Sequence, residues 1–279
     1  MISFLANLSA ATTNSNTAAG PNRRGFFRRA AAAAVLTLTA FGTTAPAVAQ
    51  GAYTAPWQRA CVVFIADLDS PSQTQVQRNF YNLVEFGAEA AALTTLAGKY
   101  ASITVVKGGN ATRARLPSTL LTVASNPTIN TIDLLFVTHG LSNRVYFSNT
   151  DVTIGTVAND IRNAVPWTLR RKFRMVFSTA CYGESHRSGW MSAGFEVVSG
   201  ASRIYADAAL SYPAFLIAWA NNMTFGESVA MSNLVDPTRT QDQIAKMLLN
   251  SWGYPQWWDV NSLRQTSGRT WLRIWQRPY

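Results

Sequence analysis

The nine residues FRMVFSTAC, Phe173 to Cys181, form a largely apolar run that ends on a cysteine. A run of this length, rich in aromatic and branched residues, reads as a strand buried on both faces, as in a parallel sheet. A second run, IDLLFVTHG (Ile132 to Gly140), has the same form and ends on His139-Gly140. Three more segments fit the pattern: CVVFIADL (Cys61 to Leu68), SITVVKGG (Ser102 to Gly109) and FEVVSGAS (Phe195 to Ser202).

Helix-forming composition and apolar spacing fill the gaps between them. Helices are expected over 73–99, over 111–124 with a stop at Asn126-Pro127, over 157–164, over 214–233 with an interruption near Gly226, and over 240–252. RVYFSNTDVTIGTV (Arg144 to Val157) alternates on either side of Asn149 to Asp151 and reads as a hairpin. RTWLRIWQ (Arg269 to Gln276) alternates like an edge strand, with Trp271, Arg273 and Trp275 on one face. That face could stack a glycan or peptide, and more simply covers a sheet edge. Strands alternating with helices imply an α/β domain with a mostly parallel central sheet and helices on both faces.

The first 49 residues have the order of an export signal. Arg23 and Arg24 stand before Gly25-Phe26-Phe27, an apolar run follows from Ala30 to Phe41, and Ala47 and Ala49 offer a small-residue cleavage site. The paired arginines resemble the twin-arginine type, which implies bacterial export of a folded protein to the periplasm or beyond. The apolar run is shorter than the roughly 20 residues of a membrane span, so no stable span is expected after signal removal. Residues 50–60 read as a short linker and 61–279 as one domain. The chain has 24 Lys+Arg against 14 Asp+Glu. The basic residues are scattered rather than blocked, which argues against a nucleic-acid reader.

In an open parallel sheet the working crevice lies beyond the carboxyl ends of the strands. Two expected strands end there in reactive groups, His139 and Cys181. Strands that neighbour one another sit about 5 Å apart, within reach of proton transfer from thiol to imidazole. The pattern of an apolar strand ending in His-Gly followed by one ending in Ala-Cys resembles the caspase-like (clan CD) cysteine peptidases: caspases, metacaspases, legumain, clostripain and gingipains. Thr179-Ala180-Cys181-Tyr182-Gly183 keeps the Ala, Cys and Gly of the caspase-type signature, and His139 lies 42 positions upstream. The signature's Gln and its residue after the Cys differ, and Thr138 stands where the group often has Gly. The resemblance runs from about Cys61 to Asp236 and includes FGESVA (Phe225 to Ala230) as a helix after the fifth strand.

The resemblance implies a three-layer caspase-like sandwich and an endopeptidase acting on peptide or protein substrates without a cofactor. It implies Cys181 as nucleophile, His139 as acid and base, and the backbone N–H groups of Gly140 and Cys181 as the oxyanion site. Asp67, Tyr182 and Glu184 are implied pocket residues, with Asp67 favouring a basic substrate side chain. The alternative is a caspase-like domain without catalysis that serves as a binding or structural module.

Other readings compete on the residues. FGESVA could be a serine-esterase elbow, but no histidine follows Ser228 as that chemistry needs. Cys181, Glu184 and His186 are too thin a set for a structural zinc site, and His186 reads as a loop residue at the crevice rim. A Cys61–Cys181 disulfide would have to span a strand length of about 20 Å, so Cys61 is expected to be a buried free thiol. Asp69 or Ser70 is the expected N-cap of the first helix.

Overall fold

The computed structural model describes residues 52–69 and 72–278. The expected export signal therefore lies outside the described residues. In chain order the elements are β1 (Arg59–Ile65), α1 (Gln75–Thr95), β2 (Ser102–Lys107), α2 (Arg115–Ser125), β3 (Thr131–Val137), β4 (Gly140–Leu141), β5 (Arg144–Phe147), β6 (Thr150–Thr153), α3 (Ile154–Ala164), α4 (Trp167–Arg170), β7 (Phe173–Ser178), α5 (Arg187–Ser192), β8 (Val197–Ala201), α6 (Ala208–Ala220), α7 (Phe225–Leu234), α8 (Thr240–Ser251) and β9 (Arg264–Gly268).

Six strands form the central sheet in the order β2-β1-β3-β7-β8-β9. The first five are parallel, and β9 closes one edge antiparallel to β8. β4, β5 and β6 form a separate antiparallel sheet. The sequence alternation sorts the core onto two faces. Ala60, Val62, Phe64, Leu134 and Phe136 pack against α2, α3 and α5, with Leu120, Ile161 and Trp190 buried there. Cys61, Val63, Ile65, Leu135 and Val137 pack against α1, α6 and α7, with Ala92, Phe215 and Val229 buried there. The protein is thus an α/β sandwich around a mostly parallel sheet. Among the described residues, no helix is long and apolar enough to cross a membrane.

One polar pair interrupts this apolar interior. Asp133 of β3 and Arg174 of β7 are both fully buried and joined by two hydrogen bonds, Nε to Oδ1 at 2.9 Å and Nη2 to Oδ2 at 2.5 Å. Tyr100 donates to the same carboxylate at 2.5 Å, and the Trp219 indole N–H donates to Tyr100 at 2.9 Å. Arg174 Nη1 holds the carbonyls of Arg273, Ile274 and Gln276. The β3–β7 register shifts at this point: Ile132 pairs with Phe173, but Asp133 pairs with Met175. Arg174 is the extra residue of a bulge, and it turns toward the same face as Met175. From there on the strands run in register to Phe136 and Ser178.

The structure departs from expectation in four places. Arg269 to Gln276 is not an edge strand; it is a series of turns whose Leu272 and Ile274 are buried, held by Arg174, and the edge strand is β9 just before it. The cap of α1 is neither Asp69 nor Ser70. It is Thr74, in a reciprocal box with Gln77, which satisfies N–H groups that a cap farther upstream could not reach. α6 starts at Ala208, before Pro213, because Tyr212, Phe215 and Trp219 are buried together along it. Finally, the expected linker is built into the domain from Thr54, which is buried and donates to the Trp275 carbonyl.

Removing one partner of a buried pair strands the other charge, which costs about 3–5 kcal/mol. Asp133→Leu is therefore expected to lower unfolding stability by that amount. Arg174→Met should cost at least as much, because it also frees the carbonyls of the C-terminal segment. Urea unfolding of the full chain checks this, and a loss below about 1 kcal/mol for either variant contradicts the assigned role.

Candidate active site

β3 and β7 are direct neighbours, and their last paired residues are Phe136 and Ser178. His139 and Cys181 each lie three residues beyond those partners, so the strand ends deliver them side by side past the same edge. Both are half-buried. Cys61 lies near the opposite end of its strand, paired with Asp133, and both cysteines are free.

Gly140 makes the approach of the two strand ends possible. A Cβ there would stand 2.5 Å from the Cys181 carbonyl oxygen, 2.9 Å from Ala180 Cβ and 3.1 Å from His186 Cε1. No side chain fits. The Tyr205 N–H donates to the Cys181 sulfur at 3.4 Å, and the backbone N–H groups of Cys181 itself and of Gly140 also favour the thiolate. The chain leaves Cys181 through Tyr182 in a left-handed conformation, φ 54° and ψ 25°, uncommon for a residue with a side chain. Tyr182 is pinned on both sides: its N–H donates to the Arg203 carbonyl at 2.7 Å and its hydroxyl to Asp259 at 2.6 Å. Gly183 then rests on the backbone of β8, where a Cβ would meet Gly200 Cα at 2.8 Å.

His139 is held from the β1–α1 connection. Its Nε2 lies 2.8 Å from the Leu68 carbonyl, which can only accept, so Nε2 carries the proton and the neutral ring keeps its lone pair on Nδ1. The Leu68 N–H in turn donates to Glu85 of α1 at 2.6 Å. Tyr81 meets the imidazole edge-on at 5.1 Å, and Tyr146 does so at 6.4 Å. Burial first, then the Cys181 thiolate once it has formed at high pH, pushes the Tyr81 phenol up to about 12, and the same two causes raise Tyr254. Tyr81 and Tyr146 therefore flank the imidazole.

Burial decides the resting protonation of the two central groups. It pushes the Cys181 thiol up, against the three backbone N–H groups that favour the thiolate. It also pushes His139 down, against the Leu68 carbonyl that favours the imidazolium. At neutral pH the resting state is a thiol beside a neutral imidazole. Behind Tyr205, Arg264 stacks on Phe177 at 3.7 Å and on Tyr205 at 4.9 Å, and donates to the Ser178 carbonyl. Asp207, pushed up to about 6 by burial, accepts from Ser211 at 2.8 Å in the same cluster.

The structure brings His139, Gly140, Cys181 and Tyr182 together. Glu184 turns away into an ion pair with Arg187 at 3.2 Å. Asp67 sits on the loop that grips His139, with Gly108 beside it, and burial followed by Asp69 raises its carboxyl. His186 is not at the rim. It is fully buried beneath Gly140 and donates to the Leu141 carbonyl at 2.8 Å, because the 3-10 turn Gly183–His186 folds it inward. Ser228 is buried inside α7 and donates to the Thr224 carbonyl, a helical setting that excludes an esterase elbow. No group of three metal-ligating side chains occurs among the described residues. Leu68, Glu85, Tyr81, Tyr146, Tyr205 and Tyr254 were not singled out by sequence. Glu85 acts only on a backbone N–H and the others through backbone atoms or ring edges, and such contacts carry no spacing signal. No protein-family model matches the chain. No curated protein matches its sequence.

Two outcomes follow. Alkylation of Cys181 by iodoacetamide, followed by mass mapping, should titrate with an apparent pKa above the ordinary thiol value of about 8.5. A reactivity plateau below pH 7 would instead indicate a preformed thiolate–imidazolium pair. Gly140→Ala should destabilise the full chain by about 1–3 kcal/mol, the usual cost of overpacking, and an unchanged urea midpoint contradicts the close approach.

Proposed function

We propose that this chain is a cysteine endopeptidase of caspase-like fold, working through a Cys181–His139 dyad. The observation that carries the reading is the in-register ending of β3 and β7, which sets both side chains at the carboxyl edge of a parallel sheet. The α/β architecture and the sheet order are compatible with the resemblance drawn from sequence.

The reaction runs from a neutral pair. The Cys181 thiol gives its proton to His139 Nδ1 as the sulfur attacks the peptide carbonyl carbon. The carbonyl oxygen becomes an oxyanion and accepts from the N–H groups of Gly140 and Cys181, which favour negative charge at this position. The imidazolium returns its proton to the departing amine as the C–N bond breaks, leaving a thioester. A water then gives a proton to the same imidazole as it attacks the thioester carbon; the C–S bond breaks, the imidazolium returns that proton to the sulfur, and the product acid leaves. Leu68 keeps the ring in the tautomer that this sequence needs. Asp67 and Asp69, on the loop that carries Leu68, supply negative charge for a basic side chain at the cleaved residue. The order of arginines, apolar run and small residues before residue 50 supports export to the periplasm or outside the cell.

The alternative, a silent domain that binds without cleaving, is separated by one experiment. A thiol-reactive peptidyl probe is expected to label the wild-type chain, to fail on Cys181→Ala, and to slow about 10²–10⁴-fold on His139→Ala. Labelling of His139→Ala at the wild-type rate marks an ordinary exposed thiol and ends the peptidase reading.

A further inference from the structure

The end of the sheet opposite Cys181 carries a second feature that the dyad does not use. A cavity of about 390 Å³ is lined by Thr168, Arg171, Lys172, Arg277 and Pro278. Thr168 comes from α4, Arg171 and Lys172 lead into β7, and Arg277 and Pro278 belong to the C-terminal segment. Three of the five lining residues are cationic and none is acidic.

Among the described residues the cations are not consumed by ion pairs. No salt bridge among the described residues involves Arg171, Lys172 or Arg277. Lys172 donates to the carbonyls of Ala124 at 2.7 Å and Asn126 at 3.1 Å, where α2 ends, which fixes its position without neutralising it. Burial and then the nearby Arg277 lower its ammonium, so its strongest charged neighbour is another cation. Arg171 and Arg277 are exposed, so an anion from solvent can reach the group and is attracted by all three cations. Two guanidinium forks, an ammonium and a hydroxyl suit the oxygens of a tetrahedral oxyanion better than a single carboxylate.

We propose that this cavity binds a phosphate-bearing anion, either a small phosphorylated molecule or a phospholipid headgroup. The site stands on observations independent of the peptidase reading and survives its failure. Thr168 donates its hydroxyl and the three cations share the remaining oxygens. Binding there ties the C-terminal segment to the start of β7.

Calorimetry of the full chain with inorganic pyrophosphate tests it, alongside sedimentation with vesicles of phosphatidylglycerol and with neutral phosphatidylcholine vesicles. Arg171→Ala and Arg277→Ala are the informative variants, since neither side chain takes part in an ion pair of the fold. Lys172 is left in place because it holds α2. Saturable one-to-one binding of pyrophosphate, weakened about tenfold or more by each variant and unchanged in Cys181→Ala, supports the small-molecule source. Binding to phosphatidylglycerol vesicles alone, lost in the same variants, supports the headgroup. Absence of both, or binding indifferent to Arg171 and Arg277, overturns the site.

Discussion

The buried pair of Asp133 and Arg174 sets the geometry on which the rest of the structure depends. Neither charge is solvated, so each needs the other, and the pair forms only where β7 carries one extra residue opposite β3. That extra residue advances β7 by one position. Were the strands paired without it, Phe136 would face Phe177, and the residue beside His139 would be Ala180 rather than Cys181. The same arginine gathers the carbonyls of the C-terminal segment. One interaction thus fixes the register of the two central strands and fastens the end of the chain across them.

At the other end of those strands the constraint becomes steric. Gly140 and Cys181 approach so closely that a single methyl group has no room. The Gly140 N–H there favours negative charge on the sulfur, and the left-handed Tyr182 turns the following loop back over β8. Burial keeps the thiol and the imidazole neutral, while backbone donors around the sulfur wait for negative charge. Such preorganisation favours a site that gains charge during a reaction over one that holds charge at rest.

Much of this was legible in the sequence, and the reasons for the rest are physical. Strands show themselves as apolar runs, and a reactive residue at the end of a run can be placed at the edge of a parallel sheet. His139, Gly140 and Cys181 were found that way. The bulge was not, because Arg174 inside an apolar run has no meaning until Asp133 is known to face it. His186 read as a rim residue because a polar side chain in a short loop is usually exposed; here the turn after Tyr182 drives it beneath Gly140. The alternation in Arg269 to Gln276 is real, since Leu272 and Ile274 are buried, but the Ile274 carbonyl goes to the buried Arg174 and the Leu272 carbonyl to the Phe225 N–H instead of a neighbouring strand. The grip of Leu68 on His139 is a backbone contact that any residue type could make.

The central claim is that His139 and Cys181 share one crevice as a neutral pair, with the imidazole proton on Nε2. Nitrogen-15 NMR of the histidine rings tests it directly, since the chain has two histidines and His186→Gln assigns them. The expected result is an Nε2–H tautomer for His139, a pKa below the ordinary value of about 6.5, and a clear change in both ring nitrogens when Cys181 is alkylated. An Nδ1–H tautomer, a pKa above that value, or ring signals blind to the state of Cys181 would contradict it.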